Sequence, residues 1–78
     1  MNDYEKYYKN PHFLDEGCFE NCINLYFAVI PAGFTHICKK AFSNCKNLET
    51  VSIPYTVADV DEKAFMGCTN LKNIKFTD

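Results

Sequence analysis

Five cysteines and two histidines are the residues of this chain whose types could carry chemistry. Cys18 and Cys22 form a C-x3-C pair with His12 and His36 to either side, a donor set that could in principle ligate zinc. The paired C-x2-C knuckles that mark a structural zinc site are missing, so no metal is expected. Cys38 follows His36 by two residues, and on an extended segment such residues share a face. A thiolate nucleophile could arise there. The sequence offers no matching cleft, oxyanion donors or third orienting group, which leaves a cysteine-dependent enzyme as a remote alternative. Glycines stand singly at 17, 33 and 67, so no phosphate-cradling loop exists. Neither a catalytic residue nor a cofactor is expected.

The elements that hold these residues explain most of them. Cys22, Cys45 and Cys68 recur at an interval of 23 residues, each inside a Phe-x-x-Cys-x-Asn-Leu motif that begins at Phe19, Phe42 or Phe65. A fixed period signals a repeat architecture, in which a residue's meaning comes from its column. Residues 30–52 and 53–75 share 8 of 23 positions, whereas residues 7–29 match 30–52 only between Phe19 and Leu25. The first unit is degenerate, as a terminal capping repeat tends to be. Within a unit, Val51 and Ile53 alternate about Ser52 like a half-buried strand, and Pro31 and Pro54 end such strands. A short extended arm follows (Phe34 to Ile37, Val57 to Val60). The Ala-Phe-x-x-Cys-x-x-Leu spacing then suits a helical or 3₁₀ turn.

The pattern from Ile53 to Ile74, Ile-Pro-x-x-Val-x-x-Val-x-x-x-Ala-Phe-x-x-Cys-x-x-Leu-x-x-Ile, resembles the BspA-like leucine-rich repeat over about residues 11–76. The resemblance implies an α/β fold: a leucine-rich-repeat solenoid of about three 23-residue coils, with a short parallel sheet on its concave face. It also implies a protein-binding or adhesion role. The family usually places glycine after the second extended arm, where this chain has Asp15, Cys38 and Asp61. Domain organisation follows: an N-terminal cap segment, 1–10, and a repeat domain, 11–78, with units of about 7–29, 30–52 and 53–75.

The register then makes specific expectations. Phe19, Phe42 and Phe65 should form one aromatic column, and Asn24, Asn47 and Asn70 should satisfy the backbone of the turns. Opposite charges should alternate along Glu16, Lys39 and Glu62. Stacked cysteines point in parallel, so the thiols are expected to be reduced; the odd cysteine count and the absence of a secretory signal in Met1–Lys6 agree.

Ten acidic residues against eight lysines, no arginine and a net charge of −2 disfavour direct nucleic-acid binding. The longest apolar run, Leu25 to Ile30, is far too short to span a bilayer. Localisation is expected to be cytoplasmic, or surface or secreted if a leader has been removed.

A protein partner is the remaining class. With Ala28, Val51 and Ile74 facing inward, Phe27, Val29, Thr50, Ser52, Asn73 and Lys75 should project from the sheet, flanked by Tyr26, Glu49 and Lys72. Tyr26, Phe27 and Val29 form an apolar patch on that face. Tyr4, Tyr7 and Tyr8, spaced for one helical turn, could equally cover it. Phe76 falls in the Ile30/Ile53 column at the C-terminal end, which is expected to be covered by a second copy, most simply in a symmetric homodimer, or by a partner. A complete stand-alone inhibitor, of the phage-encoded anti-defence kind such as an anti-CRISPR, is the alternative function.

Overall fold

The computed structural model describes residues 11–78. Its strands are β1 (Phe13–Leu14), β2 (Phe27–Val29), β3 (His36–Ile37), β4 (Thr50–Pro54), β5 (Asp59–Val60) and β6 (Asn73–Thr77). They form two parallel three-stranded sheets, β1-β3-β5 and β2-β4-β6. Every pairing keeps the 23-residue offset: Phe13 opposite His36 opposite Asp59, and Phe27 opposite Thr50 opposite Asn73. The short extended arms are therefore a second sheet.

The α component of the α/β expectation is wrong, because no helix occurs among the described residues. The Ala-Phe-x-x-Cys-x-x-Leu segments are chains of tight turns. In the middle unit, Ala41 N bonds Cys38 O, Ser43 N bonds Lys40 O and Cys45 N bonds Phe42 O, at 3.1–3.2 Å. Left-handed residues interrupt any helix: Gly17 and Lys40 in one column, Asn21, Asn44 and Gly67 in the next. Cys38 is not among them; the left-handed position lies two residues later, at Lys40. Gly67 is needed for a second reason. A Cβ there would collide with the Asn44 side chain and lie 3.2 Å from its Cα.

The turns also bond from unit to unit. Phe19 N donates to Ala41 O and Phe42 N to Ala64 O, both at 2.8 Å, while Asn44 N reaches Met66 O at 2.7 Å. Phe19 and Phe42 stack with centroids 5.5 Å apart, and Phe42 and Phe65 at 5.2 Å. The aromatic column is as expected. Seven of the nine buried hydrophobic residues belong to residues 30–52, so the core sits in the middle unit.

The cap segment 1–10 and its Tyr4, Tyr7 and Tyr8 lie outside the described residues. Among the described residues, the column Glu16, Lys39 and Glu62 makes no ion pair, and the acid–base contact between units is His36 with Asp59.

Candidate protein-binding surface

Two of the three recurrent cysteines, Cys45 and Cys68, and two of the three asparagines, Asn47 and Asn70, turn out to be rungs between units. Cys45 Sγ donates to Phe19 O at 3.1 Å, and Cys68 Sγ to Phe42 O at 3.0 Å. Asn47 Nδ2 donates to Ile23 O at 2.7 Å and Asn70 Nδ2 to Lys46 O at 2.9 Å. Both side chains thus satisfy turn carbonyls of the preceding unit, which a strand ladder does not reach.

The Cys38/His36 pair has no nucleophilic geometry. His36 Nε2 lies 3.0 Å from Asp59 Oδ2 and Nδ1 lies 2.8 Å from Thr35 Oγ1, while its ring packs 4.0 Å from Phe13. Both imidazole nitrogens are engaged elsewhere. Burial, then the carboxylates of Asp15, Asp61 and Glu16, push the Cys38 thiol up, the reverse of what a thiolate nucleophile needs. The signal for the His36–Asp59 contact was available in the sequence, since the two residues are 23 apart and share a column with Phe13. Among the described residues, no group of three His, Cys, Asp or Glu is gathered that could hold a metal. With no helix among the described residues, none is long and apolar enough to cross a membrane.

The β2-β4-β6 sheet arranges the nine candidate residues as a grid. Its register aligns Phe27, Thr50 and Asn73 in one row and Val29, Ser52 and Lys75 in another. Tyr26, Glu49 and Lys72 precede them at the same offset, and Tyr26 O accepts from Glu49 N at 2.8 Å, as Glu49 O accepts from Lys72 N at 2.9 Å. Along β4 the alternation is clear: Val51 and Ile53 are buried, whereas Thr50 and Ser52 are half-buried on the other face. On β2, Phe27 and Val29 are 72% and 76% exposed, with Tyr26 also exposed. The face changes character from unit to unit: apolar at Tyr26, Phe27 and Val29, mixed at Glu49, Thr50 and Ser52, basic at Lys72 and Lys75.

Sequence reasoning missed a recess beside this patch. An apolar hollow of about 450 Å³ is lined by Leu14, Phe19, Leu25, Ala28, Pro31 and Phe34, among others. Among the described residues, nothing covers this side of the core of residues 11–29. The column assignment already implied it, because among the described residues Phe19 and Leu25 have a neighbouring layer on one side alone.

The family model described as a BspA type leucine rich repeat region (6 copies) matches residues 9–78. Among solved structures, the chain is similar to a leucine rich cell surface protein from Faecalibacterium prausnitzii A2-165, with 40% identity and a TM-score of 0.83. The similarity covers 86% of this chain and 18% of that one, so this chain spans under a fifth of the solved protein's length. No curated protein matches.

Proposed function

The chain belongs to the BspA-type leucine-rich-repeat family, and from that premise we propose that it is a non-catalytic module that recognises a protein partner. In this reading the three units are coils of one solenoid, and the β2-β4-β6 sheet is its concave, partner-facing side. The observation that carries it is the graded grid: three exposed apolar side chains at one end of a continuous sheet face and two lysines at the other. Such a face fits a partner that offers an apolar anchor followed by an acidic segment. Two lysines without arginine are a poor platform for a phosphate backbone, so the proposed partner is protein rather than nucleic acid. Neither is a membrane part of this reading. The proposed setting is display at a cell surface, supported by the solved relative, a leucine rich cell surface protein. A stand-alone inhibitor would use the same face inside the cytoplasm.

The test is photo-crosslinking from a probe at Ser52 on this face, compared with a probe at Asp59 in the other sheet. Crosslinks from Ser52 that disappear in Phe27→Asp, with an unchanged melting temperature, are expected; the crosslinked protein also identifies the setting. Crosslinks from Asp59 alone would overturn the assignment. A Phe27→Asp chain that no longer folds would place Phe27 in the core instead.

A further inference from the structure

The outer face of the β2-β4-β6 sheet has a spacing as well as a composition. β4 lies between β2 and β6, and its main chain is committed to both, so a partner on this face meets side chains alone. The row Val29, Ser52, Lys75 crosses the three strands from an exposed apolar residue, over a short half-buried hydroxyl, to an exposed amine. The parallel row Phe27, Thr50, Asn73 repeats the first two steps. Short side chains on β4 therefore make a floor between taller ends. Neighbours in a row are ~4.8 Å apart, and its two ends about 9.6 Å.

We propose that the occupant of this face is an amphipathic α-helix of the partner, laid across the strands, with an apolar residue at one position, small residues three and four later, and an acid seven later. The inference rests on the partner-facing reading of this sheet and adds the form of the partner. A helix brings residues three or four apart to one side at about 5–6 Å, and residues seven apart at about 10.5 Å. These steps match one and two strand spacings. An extended segment presents side chains on one side about 6.6 Å and about 13 Å apart, out of step with the third strand. The apolar residue seats between the exposed Phe27 and Val29, and the small residues pass over Thr50 and Ser52, whose short side chains let a helix backbone approach. The acid then reaches Lys75.

Lys75 takes the acid in preference to Lys72 because of what stands one strand away. Beside Lys72 that residue is Glu49, whose O accepts from Lys72 N at 2.9 Å and whose carboxylate repels an incoming acid; beside Lys75 it is Ser52. The helix runs with its C-terminal end over β6, which brings the partly negative carbonyl end of its dipole to the two lysines.

An NMR titration of the isotope-labelled 78-residue chain tests the proposal with four capped, alanine-based peptides of about 18 residues. The first carries leucine at position i and glutamate at i+7. The second moves the glutamate to i+5, on the far side of the helix, and the third replaces it with lysine. The fourth keeps leucine and glutamate but has two central prolines, which abolish the helix. The first should shift the amides of Val29, Ser52 and Lys75 and bind about two- to fivefold more tightly than the second or third, the range of one exposed ion pair. Lys75→Glu should invert the preference between the first and third peptides. Equal binding of the first and fourth on this face would overturn the helix and leave the partner-facing reading standing. A preference that Lys75→Glu leaves unchanged would overturn the register in the same way. No shift on this face from any of the four would overturn the inference, and shifts confined to β1-β3-β5 would overturn the partner-facing reading with it.

Discussion

Residues 30–52 and the units on either side carry the same motif, yet solvent treats them differently. Phe42 is 1% exposed while its column neighbour Phe19 is 41% exposed. Cys45, Leu48 and Val51 are buried, whereas Cys22, Leu25, Cys68 and Leu71 are only half-buried and Ile74 is exposed. The difference follows the strand order: among the described residues, 30–52 have paired strands on both sides and the flanking residues on one. Residue type within a repeat therefore says what a side chain can do, and its place in the stack says how much it contributes.

The largest expected effect breaks that comparison at its centre. Phe42→Ala removes a ring stacked on both faces and should cost about 3–5 kcal/mol, enough to unfold a chain of this size. Phe19→Ala, with one stacked face, should cost roughly 1–2 kcal/mol. Urea melts of the two variants decide it, and equal losses would mean that the outer unit is covered as fully as the middle one. Next in size is a pair of glycines. Gly67→Ala and Gly33→Ala both force alanine to a positive φ, at roughly 1–2 kcal/mol. Gly67 alone also drives a Cβ into Asn44, while Gly33 has open space. Gly67→Ala should thus lower the melting temperature further, and the gap between the two measures how tightly the middle and last units approach.

A smaller effect appears with pH. Burial is the first cause raising the thiols of Cys18, Cys38, Cys45 and Cys68 above the ordinary value of 9.0. The folded chain therefore holds these protons more tightly than the unfolded one. Their effect on stability is constant below pH 9.0 and unfavourable as pH rises from there through the raised values. Melting temperatures measured from about pH 7 upward should be level and then fall, and Cys45→Ala should blunt the fall. A fall that begins well below pH 9.0 would assign the transition to other groups.

The period made much of this legible. Once Cys22, Cys45 and Cys68 were placed on one column, the strand register, the phenylalanine stack and the asparagine rungs followed from arithmetic, because each depends on alignment alone. The turns did not follow. Lys40 has no residue-type signal for a left-handed backbone, and Ala-Phe-x-x-Cys-x-x-Leu reads as helical until Lys40 and Asn44 are known to reverse the chain. The outer face was legible as a grid of residues. Its grading from apolar to basic needed the register, and the hollow that Phe27 helps to line needed the three-dimensional placement of Leu14, Phe19 and Phe34 around it.

The smallest expected effect concerns a flaw in the otherwise well-packed middle unit. Ser43 is buried, and its Oγ has no hydrogen-bond partner among the described residues. Its column neighbours are Glu20 and Met66, both exposed, so the same position is harmless in the outer units and awkward only where layers close over it. An unpaired buried hydroxyl costs about 1–3 kcal/mol in lost hydration, against the small packing loss when one atom is removed. Ser43→Ala should accordingly stabilise the chain by up to about 1 kcal/mol, a rise of roughly 4–8 °C in melting temperature for a domain of this length. A lowered melting temperature would show that the hydroxyl is bonded through water, and that the middle unit admits solvent where its neighbours seal it.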